Sequence, residues 1–161
     1  MGNGFSHVGV STHDMDTTIQ FYEEVLGFRR VAEDHIRIVE GGNLRHVFFD
    51  VGDGQCIAFI QANDVPAIPS DYDTSINLGL GVPHAMYHYA LKVLTLEELE
   101  SRRRELEARG VAVSPIIDLG AGRSIFFRDP NNITLEFCCQ LRPFNESDLQ
   151  GEFETSVAML G

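Results

Sequence analysis

Positive charge is scarce in this chain. Twelve Lys and Arg stand against 24 Asp and Glu, a formal net charge of −12. A nucleic-acid partner demands a basic face, so that class is excluded. An anionic membrane is a poor partner for the same reason. Anionic small molecules stay open, because a bound metal supplies local positive charge whatever the net charge. Long apolar runs are missing too, and none approaches the ~20 residues needed to span a bilayer. Met1 to Ser6 lack the basic and apolar parts of a signal peptide. Cysteine is sparse. Cys56, Cys138 and Cys139 make an odd count at no metal-ligand spacing, which reads as reduced thiols in a cytoplasmic protein.

What is present suits one folded domain. The 161 residues are 43% hydrophobic, enough for a real core. Two helices stand out. The first is expected from Met15 to Leu26, with Asp14 as N-cap, an apolar stripe of Ile19, Tyr22, Val25 and Leu26, and Gly27 as the left-handed stop. The second is expected from Leu96 to Arg109, opened by a Thr95–Glu98 capping box. Its pairs Glu98–Arg102, Glu100–Arg104 and Glu105–Arg109 describe a solvated face.

Each helix follows a short strand-like run, Ser6–Ser11 and His88–Val93, and precedes three more. These are expected at about 37–40, 44–51 and 55–61, then at 112–118, 123–128 and 133–139. Gly52-Asp53-Gly54 and Asp129-Pro130-Asn131-Asn132 are turn signals. Strand, helix, three strands therefore occurs twice, at about residues 5–62 and 85–140, with a punctuated linker at 63–84 and an acidic tail at 141–161. The fold class is α+β.

The repeat gives meaning to four side chains. His7 and His88 open the first strands of the two copies, and Gln61 and Glu136 lie on their last strands. A pseudo-two-fold pairing of the copies would gather all four, and each can ligate a metal. Two imidazoles and a carboxylate with open positions suit non-haem Fe(II), with Mn(II), Zn(II) or Ni(II) also fitting. A lone strand His is ordinarily a satisfied core or edge residue. Glu136, inside Ile133-Thr134-Leu135-Glu136-Phe137, needs a partner if it is buried.

The segment SHVGVSTHDMDTTIQFYEEVLGF resembles the opening module of vicinal-oxygen-chelate proteins, the superfamily of glyoxalase I, methylmalonyl-CoA epimerase, fosfomycin-resistance enzymes and type I extradiol dioxygenases. HYALKVLTLEELESRRRELEARGV is similar to the start of their second module, and SIFFRDPNNITLEF to their closing strand pair. The resemblance covers about residues 5–140. It implies two paired βαβββ modules forming a cup-shaped mixed sheet with helices outside. It also implies His7, His88 and Glu136 as ligands of one divalent metal, Fe(II) favoured, and a homodimer.

RHVFFDVGDGQCIAF resembles the dioxygenase-like branch, which implies a small oxygenated substrate and O2. The extradiol pattern has a His and a Tyr where this chain has Leu119 and Phe126, so the acid–base group must come from elsewhere. His84 and His46 are the candidates, with Glu136 as base as well as ligand. Phe126, Leu119, Phe59 and Ser124 are expected to line the substrate pocket. CIAFIQ is similar to the strand that supplies a fourth ligand, here Gln61, in glyoxalases and epimerases. That likeness implies an isomerase or lyase working through an enediolate. A small-molecule-sequestering protein is the third possibility.

Overall fold

A computed structural model describes residues 4–149 of the protein. They form two compact units. The first holds the residues up to Gly79 together with Asp129–Asn132, and the second holds Leu80–Arg128 with the residues from Ile133 onward. The expected twofold βαβββ order is present, though the strands form two four-stranded sheets, one per unit.

The first unit contains β1 (His7–Ser11), α1 (Met15–Gln20), a π-helical turn at Phe21–Val25, β2 (Arg29–Arg37), β3 (Asn43–Gly52) and β4 (Gln55–Asn63). Its sheet order is β1-β4-β3-β2, with β1 parallel to β4 and the other pairs antiparallel. Asp14 caps α1 as expected, accepting from the Thr17 amide at 3.0 Å. The π turn lets Leu26 N–H reach Phe21 O, and so keeps Tyr22 and Leu26 both facing inward. The Tyr22 ring stacks on Phe49 at 5.1 Å and meets Phe59 edge-on at 4.8 Å, forming the centre of this core.

The expected strand at 37–40 is a turn, and the strand runs over Arg29–Arg37 instead. All nine residues of β2 are exposed. Charge holds this edge strand: Glu33 accepts from Arg30 and from Arg45, both at 2.8 Å.

The short helix α2 (Ile76–Leu80) lies at the boundary of the units. The second unit then contains β5 (Tyr89–Val93), α3 (Leu96–Ala108), β6 (Ile117–Asp118), β7 (Gly122–Arg128) and β8 (Thr134–Gln140), in sheet order β5-β8-β7-β6. Thr95 accepts from the Glu98 amide at 3.1 Å, and α3 buries Leu99 and Leu106. Glu98 bonds back to the Leu94 amide rather than forward to Arg102. The expected strand at 112–118 shrinks to β6 plus one bridge between Val113 and Phe127. Pro115 in its middle has no N–H for a ladder.

The Asp-Pro turn survives with Asn132 in the left-handed region, φ 58. It packs as part of the first unit. Asn131 accepts from Thr12 Oγ1 at 2.6 Å and donates to Thr18 Oγ1 at 3.1 Å, both buried. A 3₁₀ turn at Glu146–Leu149 closes the described chain, so the tail from residue 150 lies outside the described residues.

Candidate functional site

Residues paired across a sheet share a face. In the second unit Ala90 pairs with Glu136, and Glu136 with Phe126. One face of this sheet therefore carries Glu136, Phe126, Ser124 and Cys138. The other carries Ile125, Phe127, Leu135 and Phe137, which are buried. Glu136 is only 4% exposed. A carboxylate so placed requires partners, and the Cys138 thiol on the same face is one of three. Ser124 Oγ donates to Oε1, and His88 Nε2 lies 3.0 Å from Oε2.

The His88 ring is fixed from its other side. Its Nδ1 lies 3.0 Å from the Ala85 carbonyl, which can only accept, so Nδ1 carries a proton. The neutral ring then turns the Nε2 lone pair toward a carboxylate oxygen. Two electron-rich atoms at that distance call for a cation between or beside them. Either the ring takes a second proton or a metal binds. A metal-ligating His ordinarily gives its second N–H to a carbonyl in this way, so the donor set fits a divalent ion. The Phe126 ring stands 5.6 Å from His88, edge-on. Burial, with the nearby Glu136 adding to it, pushes the Cys138 thiol up and leaves it a packing group.

The first unit presents the corresponding face with different content. His7 pairs with Cys56 and Gly9 with Ala58, and Phe48 is opposite Ala58. The His7 ring meets Phe48 at 5.4 Å and His46 at 6.5 Å. His46 Nε2 is buried without a hydrogen-bond partner, and burial, aided by His7, lowers its pKa. His46 is thus held as a neutral imidazole beside His7.

Gln61 does not join His7. The register sets it on the opposite face, with Phe59, and its Oε1 accepts from the Met15 amide at 2.9 Å. It serves the start of α1. The position that matches Glu136, two residues on from the strand-opening His and one strand over, is Ala58, which has no donor atom. Phe59 is likewise on the core side, fully buried against Tyr22 and on the face opposite His7. Leu119 is 43% exposed in the turn before β7. His84 accepts from Arg128 Nη1 at 2.9 Å, at the far end of β7.

The structure therefore brings together His88, Glu136, Ser124 and Phe126 in one unit, and His7 and His46 in the other. Among the described residues no group of three or more His, Cys, Asp or Glu forms a cluster able to hold a metal. Ser124, expected in the substrate pocket, is fully buried. Its role as the donor that fixes Glu136 follows only from the β7–β8 register.

The family model described as Glyoxalase/Bleomycin resistance protein/Dioxygenase superfamily matches residues 4–137. No curated protein matches the sequence at a significant level. Among solved structures, a glyoxylase/bleomycin resistance protein/dioxygenase domain from Frankia sp. EAN1pec is 22% identical with a TM-score of 0.64, covering 87% of this chain and 99% of that one. The fosfomycin resistance protein FosX of Listeria monocytogenes is 19% identical with a TM-score of 0.59, covering 87% and 95%. TnmS3, an antibiotic binding protein from a Streptomyces species, is 19% identical with a TM-score of 0.58, covering 86% and 97%. Likeness at these identities establishes a shared fold.

Proposed function

Because the chain belongs to the glyoxalase/bleomycin resistance protein/dioxygenase superfamily, we propose that it is a divalent-metal-dependent enzyme acting on a small molecule through neighbouring oxygen atoms. The observation that carries this is the His88–Glu136 pair, with Nδ1 of His88 held by the Ala85 carbonyl and Oε1 of Glu136 held by Ser124. The family resemblance adds His7 to the ligand candidates by its matched place in the sequence repeat. Fe(II) leads the candidates by ligand type, with Mn(II), Zn(II) and Ni(II) behind it. When bound, the metal supplies Lewis-acid polarisation of the substrate's oxygens.

The chain's own residues favour proton transfer. Ser124 restrains the Glu136 carboxylate and leaves Oε2 as its active oxygen. Phe126, on the face of Glu136, contributes an apolar wall that strengthens charge interactions beside it. His46 is the candidate proton acceptor, since its ring stays neutral near pH 7. The dioxygenase-like reading stays second, supported by the local likeness of RHVFFDVGDGQCIAF. Phe126 lacks the hydroxyl and Leu119 the imidazole that ring cleavage would use.

Metal analysis and substrate panels test the proposal. Wild type should take up one Mn(II) or Fe(II) per chain, and Glu136→Gln and His88→Ala should each weaken uptake at least about tenfold. Unchanged uptake in both variants would remove the metal reading and leave small-molecule sequestration. With metal bound, solvent proton exchange into hydroxy- or keto-compounds without O2 uptake supports proton transfer. O2 uptake with catechols supports the dioxygenase-like reading. A homodimer belongs to the same proposal, because each sheet ends on a short strand, β1 or β5, with one open edge. Light scattering that finds a monomer at micromolar concentration would dismiss it.

A further inference from the structure

We infer that Arg128, Thr134 and His84 form an oxyanion subsite, which holds a carboxylate or phosphate group of the substrate proposed for His88 and Glu136. Arg128 pairs with Thr134 across β7 and β8, just as Phe126 pairs with Glu136. The two pairs are two residues apart, so they share a face at a separation of about 7 Å. A hollow of about 160 Å³ opens there, lined by Arg128, Thr134, His84, Phe126 and Ser114 among others. That is room for one small oxyanion.

Three features of this hollow are unexplained without a ligand. First, Arg128 has no carboxylate partner among the described residues, although acidic groups outnumber basic ones in the chain. Most arginines here are paired, as Arg123 is with Asp118 at 2.6 Å. Second, Thr134 is 2% exposed and its Oγ1 has no hydrogen-bond partner. A buried hydroxyl left in that state is costly, and an anion would supply its acceptor. Third, the guanidinium is already oriented. It donates through Nη1 to His84 Nε2 at 2.9 Å, which leaves its remaining donors for a bidentate grip.

The matched corner of the first unit has the reverse sign. There Asp50 pairs with Cys56, and Arg29 neutralises Asp50 at 3.1 Å. The second unit alone thus offers an anion both an uncommitted cation and an unused hydroxyl. This inference rests on the proposed function for the substrate's oxygens at Glu136, and it assigns the substrate class. The substrate is a small acid or phosphate ester whose anionic group lies three or four bonds from those oxygens.

The anion can be tested apart from the metal. Metal-stripped protein is titrated with inorganic phosphate and, separately, with succinate, followed by calorimetry and by the Arg128 side-chain and Thr134 amide NMR signals. Saturable binding with a dissociation constant on the order of 1 mM is expected for at least one of them, with shifts centred on those two residues. Arg128→Gln, at an exposed position, should keep the fold and weaken binding at least about tenfold. Thr134→Val should weaken it less and raise the melting temperature, because the unsatisfied hydroxyl is gone. Absence of saturable binding, or equal binding by wild type and Arg128→Gln, overturns the subsite. Arg128-dependent binding in a protein that takes up no Mn(II) upholds the subsite while the metal proposal fails.

Discussion

The two units place side chains at the same stations and put different chemistry on them. Each opens with a His, His7 or His88, against a Phe edge, Phe48 or Phe126, at nearly the same separation, 5.4 and 5.6 Å. The remaining stations diverge. Where the second unit has Glu136 the first has Ala58, and where the second has Ser124 the first has His46. A βαβββ copy thus retains its imidazole and its aromatic wall as a scaffold, while the carboxylate and the group that fixes it occur once. One copy is equipped to hold charge and the other to hold a neutral base.

The largest expected effect comes from erasing the difference on the charged side. Glu136→Gln should abolish stoichiometric metal uptake, measured by metal analysis after dialysis. The fold should survive, because the amide oxygen still accepts from Ser124 and the amide NH2 can donate to the His88 Nε2 lone pair. If metal content persists, the carboxylate is structural and the units differ less than their residues suggest.

The reverse substitution creates the difference where it is absent. Ala58 is fully buried, so Ala58→Glu takes a carboxylate out of water with His46, and no Ser, at the station that would fix it. The expected cost is several kcal/mol of stability, read from urea unfolding at pH 7. Partial recovery in Ala58→Glu, His46→Ser would show that the serine station is what makes the carboxylate tolerable. No recovery would mean that the two sheets differ in more than these stations.

Gln61 sharpens the same comparison on a smaller scale. Since its side chain accepts from the Met15 amide, Gln61→Ala should cost about 1 kcal/mol of stability, as loss of a cap does, and should leave metal uptake unchanged. A drop in metal content would return Gln61 to the ligand set.

The sequence made the repeat, both helices with their caps, the turn at Asp129 and the His88–Glu136 pair legible, because spacing and local chemistry encode each of them. It hid β2, whose residues Arg29–Arg37 have no buried face and are held by Glu33, Arg30 and Arg45 rather than by an apolar pattern. Gln61 and Phe59 misled for a related reason. Strand position was legible but register was not, and a one-residue step moves a side chain to the other face. Ala58, which decides the contrast between the units, is silent in sequence because alanine advertises no chemistry.

The smallest expected effect concerns pH and His46. Burial, with His7 adding to it, holds the folded-state pKa of His46 below its ordinary value. As pH falls below about 6.5 the unfolded chain takes up this proton before the folded one does. The contribution of neutral His46 to stability is therefore complete above that pH and is lost as pH falls through the lower folded value. Its half-buried ring faces His7 across the sheet and Asp34 on β2, and Asp34 acts against the shift, so the effect is modest. Melting temperatures of wild type and His46→Gln should differ most near pH 7.5 and converge toward pH 5.5. A constant difference over that range would mean that His46 titrates normally. It would then be partly charged near neutrality, and the contrast between a neutral base in one unit and a carboxylate in the other would lose its electrostatic basis.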